Sequence, residues 1–390
     1  MLQMNLSHTA ESYWPRFSLA AYALYDDDTV YLFNHPLVQK EVNFISFPST
    51  KEFMGDTLIL YEGVPTAIVH MDRYERFQSL YSMVMHESFH AYQYIQEEHR
   101  FPDEVQGMTY PLNGENAQIR QLERMALHDA LFERNTEEKR ARLQTFFSLR
   151  EHRRTVIGDF LDYELKIETI EGPAWYVELK AYAHQSACSY ESVVKKYSEQ
   201  LLDKKNSIHR LRGSCYSSGL AICLLLDEFS PSWKETFFTS NQTVYDLLKV
   251  AFHYNVPKLP SIPTDTEIES YIAEAHQTRI AEINSFLKQS GYHILIKGIT
   301  KIKGFDPMNV VISANRRLHK TFLKVEMNDD IVLFQQPVLV EYADNQSKIV
   351  ALHLVLDQRP IIHNENTFTL DGIGVITGIY DDSTHTLTVK

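Results

Sequence analysis

"MHESFHAYQ", residues 85–93, places His86 and His90 four positions apart with Glu87 directly after the first. On an α-helix, positions i and i+4 share a face roughly 6 Å apart, so both imidazoles can reach one ion. Glu87 sits on the same turn and can direct its carboxylate past that ion toward a bound water, as a general base. The bland alternative is a pair of satisfied structural histidines. With 17 His and 30 Glu in 390 residues, a shuffled chain would contain H-E-x-x-H roughly 0.06 times, so the pattern gains weight from its surroundings.

Those surroundings are a sheet and then a helix. Residues 29–70 hold four β-branched and aromatic runs, "TVYLF", "VNFISF", "TLILYE" and "TAIVHM", separated by Asn, Pro and Gly. They predict a small, mostly antiparallel sheet. From Asp72 the period becomes helical: Asp72 and Glu75 have capping-box spacing, Phe77, Leu80, Val84, Ala91 and Tyr94 recur on one face, and Pro102 bounds the helix. Helical patterns continue over 115–132, from 136 to about 183 with a break expected at Gly172-Pro173, and over 190–204, 208–229 and 244–253. "NVPKLPSIPTDTE", 255–267, reads as a linker, and 268–288 as a connecting helix. From Gly291 onward, runs such as "YHILIKGI", "NVVISA" and "KIVALHLVL" alternate with Gly, Asn and Asp turns. The expectation is an α+β chain: residues 1–255 as a small sheet with a mostly helical remainder, 256–290 as a connector, and 291–390 as a separate β-rich domain.

A catalytic zinc takes three protein ligands and leaves a position open. "LKIETIEGPAWYVELKAYA", 165–183, supplies Glu168 and Glu171 on one face, and Glu171 opens an E-G-x-A stretch. Here the chain resembles the gluzincin metallopeptidases, in which HExxH is completed by a glutamate on a later helix. The resemblance covers residues 29–253 and implies Zn2+ held by His86, His90 and Glu171, with Glu87 as catalytic base. Eighty residues separate His90 from Glu171, so an inserted helical hairpin over 115–165 has to fold away. Glu168 is the fallback ligand, or a partner orienting a neighbouring side chain.

Such sites usually offer an oxyanion donor besides the metal. In "HRLRGSCYSSGLAICLLLDEF", 209–229, Arg212, Tyr216 and Gly219 fall on one helical face, which makes Tyr216 the leading candidate and His184 the alternative. A core tyrosine is the ordinary role for Tyr216. Glu115, Glu123 and His128 in "NGENAQIRQLERMALHDAL", 113–131, read as a solvated face with i,i+4 pairs. A di-iron bundle would need two Glu-x-x-His motifs, and Glu87 to His90 is the one such pair.

A formal charge of -13 argues against a nucleic-acid or anionic-membrane partner. "GLAICLLL", 219–226, is too short to cross a bilayer. The N-terminal residues do not read as a secretion signal, and Cys188, Cys215 and Cys223 lack metal-ligand spacing, so a cytoplasmic protein beginning near Met1 is expected. The expected activity is hydrolysis of a peptide or protein substrate. The alternatives are an inactive binding or regulatory protein on the same scaffold, and a C-terminal domain that recruits a protein partner or occludes the cleft.

Overall fold

The computed structural model describes residues 9–254, 261–299, 301–328, 330–343 and 348–389. It is α+β, and it divides into two compact units, one of Met1–Asp103 with Pro111–Asp265 and one of Glu104–Tyr110 with Thr266–Lys390. Part of the expected linker, 255–260, lies outside the described residues, as does the start of the chain, 1–8. No helix among the described residues is long and apolar enough to cross a membrane.

The first strand of the first unit is one that periodicity does not reveal. β1 (Ala21–Tyr25, "AYALY") is buried at all five positions, so it lacks the polar alternation that marks a half-exposed strand. It lies at the centre of a five-stranded sheet with β2 (Thr29–Phe33), β3 (Ile45–Pro48), β4 (Thr57–Tyr61) and β5 (Val64–His70), in the order β3-β2-β1-β5-β4. The β1–β5 pair is parallel and the others are antiparallel. β4 therefore forms one edge of the sheet, beside the strand that leads into the first long helix.

That helix, α1 (Phe77–Ile95), begins later than the Asp72 cap predicts, and Arg76 at its N-cap makes no side-chain capping bond. The cause lies in Asp56. Its Oδ1 accepts the His70 amide at 2.8 Å, and its Oδ2 accepts the Tyr74 hydroxyl at 2.8 Å and Arg73 at 3.2 Å. Tyr74 is thus held extended, and helix can start only beyond it.

Next comes the hairpin of α2 (Gly114–Phe132) and α3 (Thr136–Ile157), turned by Asn135, whose side chain caps α3 through the Glu137 and Glu138 amides. The expected break at Gly172-Pro173 is not there. Gly158, at φ 56°, ends α3 instead, and α4 (Phe160–Gln185) runs unbroken through Pro173. Proline removes the N–H that would bond the Thr169 carbonyl. The adjacent Ile170 carbonyl accepts Gln93 Nε2 of α1 at 2.8 Å, so packing from the side holds this turn helical. α5 (Tyr190–Ser198), α6 (Leu211–Phe229) and α7 (Val244–Phe252) complete the unit. Trp14 ties its halves together, making edge contacts to Phe89 of α1 and Tyr176 of α4 at ring separations of 5.0 and 6.1 Å.

α4 and α6 cross at two glycines. A Cβ on Gly172 would lie 2.6 Å from the Gly219 carbonyl carbon, and one on Gly219 would lie 2.7 Å from the Glu168 oxygen. The charges of α2 are not a solvated face. Glu115 is exposed, but Glu123, Arg120 and Arg124 are buried. Glu123 accepts Arg150 Nε at 2.9 Å and Arg153 Nε at 2.6 Å, while Glu164 pairs with Arg153 and with Arg120 Nε at 2.7 Å. Glu123, Glu164, Arg120, Arg150 and Arg153 are thereby matched by opposite charges with directed hydrogen bonds, which burial requires, while Arg124 donates instead to the Gln200, Leu201 and Ser214 carbonyls and the Ser217 hydroxyl.

In the second unit, α8 (Thr266–Leu287) packs Ile283 and Phe286 against Val311, Leu318 and Leu339. These last three belong to a seven-stranded sheet centred on Ile349–Leu356, accompanied by two three-stranded sheets. The expected connecting helix is thus part of the β-rich unit. His319, on Arg316–His319 of the large sheet, is 1% exposed, and neither ring nitrogen has a hydrogen-bond partner. Burial, and then the Arg317 cation, push its pKa down to about 4.

Two stability outcomes follow from these buried charges. Arg153→Met leaves Glu123 and Glu164 without that cation and is expected to cost about 3–5 kcal/mol in urea denaturation; a neutral result would mean the network is dispensable. His319 stays neutral when folded, whereas the unfolded chain takes up a proton below pH about 6.5. Its contribution is therefore complete above pH 6.5 and lost as pH falls toward 4. Relative to His319→Leu, wild type should lose on the order of 3 kcal/mol between pH 7 and 4, and parallel pH profiles would contradict this.

Candidate metal centre

α1 and α4 bring together three side chains from distant parts of the chain. His86 and His90 project from one face of α1, and their Nε2 atoms lie 3.1 Å apart. Glu171 Oε2, from α4, lies 3.3 Å from His90 Nε2 and 3.8 Å from His86 Nε2. Donors about 2.0–2.1 Å from a tetrahedral zinc stand roughly 3.3 Å from one another, which these separations approach. Among the described residues this is the one group of three His, Cys, Asp or Glu side chains placed to hold a metal ion.

Each histidine is turned by a partner on its other nitrogen. His86 Nδ1 lies 2.9 Å from Glu178 Oε2, and Glu178 Oε1 accepts the Tyr197 hydroxyl at 2.9 Å. His90 Nδ1 lies 2.7 Å from Gln93 Oε1, whose amide nitrogen is spent on the Ile170 carbonyl. With Nδ1–H donated in both rings, both Nε2 atoms face the centre, the orientation a metal ligand needs. Neither Glu178 nor Gln93 was singled out from the sequence, though spacing offered a clue. Glu178 is two helical turns beyond Glu171, and Gln93 is one turn beyond His90.

The electrostatics fit a cation. Burial works against a charged His86, but Glu171 and Glu178 outweigh it and lift its pKa to about 10. Burial also opposes ionisation of Glu171, yet His90 and then Arg212 hold it well below the usual carboxylate range. A divalent ion among these atoms would replace the His86 proton in balancing the two carboxylates. Glu87 differs from both. It is 6% exposed, has no hydrogen-bond partner among the described residues, and burial raises its pKa. A carboxylate left unpaired beside the ligands is suited to accepting a proton.

The remaining candidates separate cleanly. Tyr216 reaches the site, since its hydroxyl accepts a hydrogen bond from Arg212, whose other terminal nitrogen lies 3.1 Å from Glu171 Oε1. Burial, and then Glu171, keep the Tyr216 phenol well above its ordinary pKa. Glu168 is not a ligand: both its oxygens bond Arg150, at 2.6 and 3.0 Å, and Ser218 adds a third bond. His184 pairs with the Tyr13 hydroxyl at 2.7 Å instead. Gly219 serves the helix crossing. No family model matches the chain, and no curated protein or solved structure does.

Because Gly172 follows Glu171 directly, the helix crossing sets where this carboxylate meets α6. Gly172→Ala is expected to cost about 2–3 kcal/mol by overpacking and to pull Glu171 away from Arg212. Thermal unfolding of the variant checks this, and an unchanged midpoint would show that the crossing tolerates a methyl group.

Proposed function

We propose that the chain is a zinc-dependent peptidase of the gluzincin type, with His86, His90 and Glu171 as ligands, Glu87 as general base and Tyr216 as oxyanion donor. The observation that carries this reading is the convergence of three donor atoms whose outer partners already fix their orientation, beside a buried glutamate left unpaired. Zinc in such a site polarises a carbonyl and activates water. Glu87 then accepts a proton and returns it to the leaving amine, and Tyr216 donates a hydrogen bond to the oxygen on which charge builds.

The sheet supports a peptide as substrate. β4 pairs with β5 on one side and ends the sheet on the other. Its Leu60 is 55% exposed. An extended backbone can add to such an edge by main-chain hydrogen bonds, and Asp56 ties the start of β4 to the segment entering α1.

Metal analysis of the purified protein tests the reading first. About one zinc per chain is expected in wild type, lost in His86→Ala and in Glu171→Ala. Glu87→Gln should keep the metal and lower turnover of a peptide library by about 10²–10⁴-fold. A wild type without metal after zinc is supplied would overturn the site. A zinc-loaded wild type that cleaves no peptide bond would overturn the peptidase reading alone.

A further inference from the structure

Arg212 is one helical turn from Tyr216 on α6 and serves two members of the site with a single guanidinium. Its Nη2 lies 3.1 Å from Glu171 Oε1, the oxygen turned away from the histidines. Its Nη1 donates to the Tyr216 hydroxyl. The side chain is 16% exposed, so water screens these contacts only weakly. Glu171 is thereby divided, with one oxygen facing the two imidazoles and the other committed to a fixed cation.

We propose that Arg212 is a positioning residue that restricts Glu171 to one-oxygen ligation, weakens the hold on the metal and aims the Tyr216 proton. This rests on the metal-site reading above. A guanidinium hydrogen-bonded to a carboxylate draws off part of its negative charge, and a fixed positive charge nearby opposes a divalent ion. Both effects lower metal affinity. Both also leave the centre more electron-poor, which favours the negative charge that grows on a carbonyl oxygen under attack. Because Tyr216 accepts from Arg212, its own proton points elsewhere, toward Glu171 or an arriving oxygen. Lysine would keep the charge but lacks the planar fork that reaches both partners.

A purely structural ion pair predicts the opposite sign for one observable. If Arg212 only braced α4 against α6, removing it would loosen the site and weaken metal binding. The full-length protein, with zinc affinity read by competition against a chromophoric chelator, distinguishes the two. Arg212→Met is expected to bind zinc about tenfold more tightly than wild type and, zinc-saturated, to lose about 100-fold in kcat with little change in KM. Arg212→Lys should bind zinc within about threefold of wild type while losing at least about tenfold in kcat.

Equal or weaker zinc binding by Arg212→Met overturns the inference and leaves the metal site standing. If that variant does not fold, Arg212→Lys decides, because wild-type affinity together with wild-type kcat overturns the inference too. Wild type that binds no zinc removes the metal reading and this inference with it.

Discussion

The close approach of α4 and α6 at Gly172 and Gly219 is the constraint on which the site depends. Helix axes pack 8–10 Å apart according to the side chains between them, and with no side chain at either glycine the backbones themselves meet. The residue before Gly172 is Glu171, and the residues one and two turns before Gly219 are Tyr216 and Arg212. Any larger residue at the crossing would move the carboxylate from its guanidinium before it disturbed the two histidines, which belong to α1.

A layer of buried charge lies on the same helices. Glu168, one turn before Glu171, is held by Arg150, which also holds Glu123 of α2. The hairpin inserted between the HExxH helix and Glu171 is thus fastened to the helix that carries this carboxylate. Pairs of this kind contribute little net stability against a well-packed apolar core, but they tolerate no loss of a partner. They also restrict how α2, α3 and α4 can be arranged, since a change of register would bury charges without partners.

What was legible in the sequence was local. HExxH needs only the rise of one helix, and the E-G-x-A stretch marked Glu171 through resemblance to a family. Strands rich in β-branched and aromatic residues between turn signals announced themselves, while β1, "AYALY", has no β-branched residue and did not. Tertiary packing overrode the rest. Pro173 reads as a break, yet Gln93 and the flanking helices keep α4 whole. Glu123 reads as surface, because sequence gives no sign that Arg150 and Arg153 come to meet it. Arg212 and Glu178 acquire their roles only when helices distant in sequence lie side by side.

The continuity of α4 gives the centre a built-in ruler. Glu171 and Glu178 are seven residues apart, which at 1.5 Å per residue is about 10 Å along one axis. One carboxylate faces the histidine nitrogens from inside the site, and the other grips His86 from behind. Had the chain broken at Pro173, their separation would be set by a loop and would vary with its motions. On an unbroken helix it is set by hydrogen-bond geometry, so His86 is clasped between two fixed points of one rigid rod.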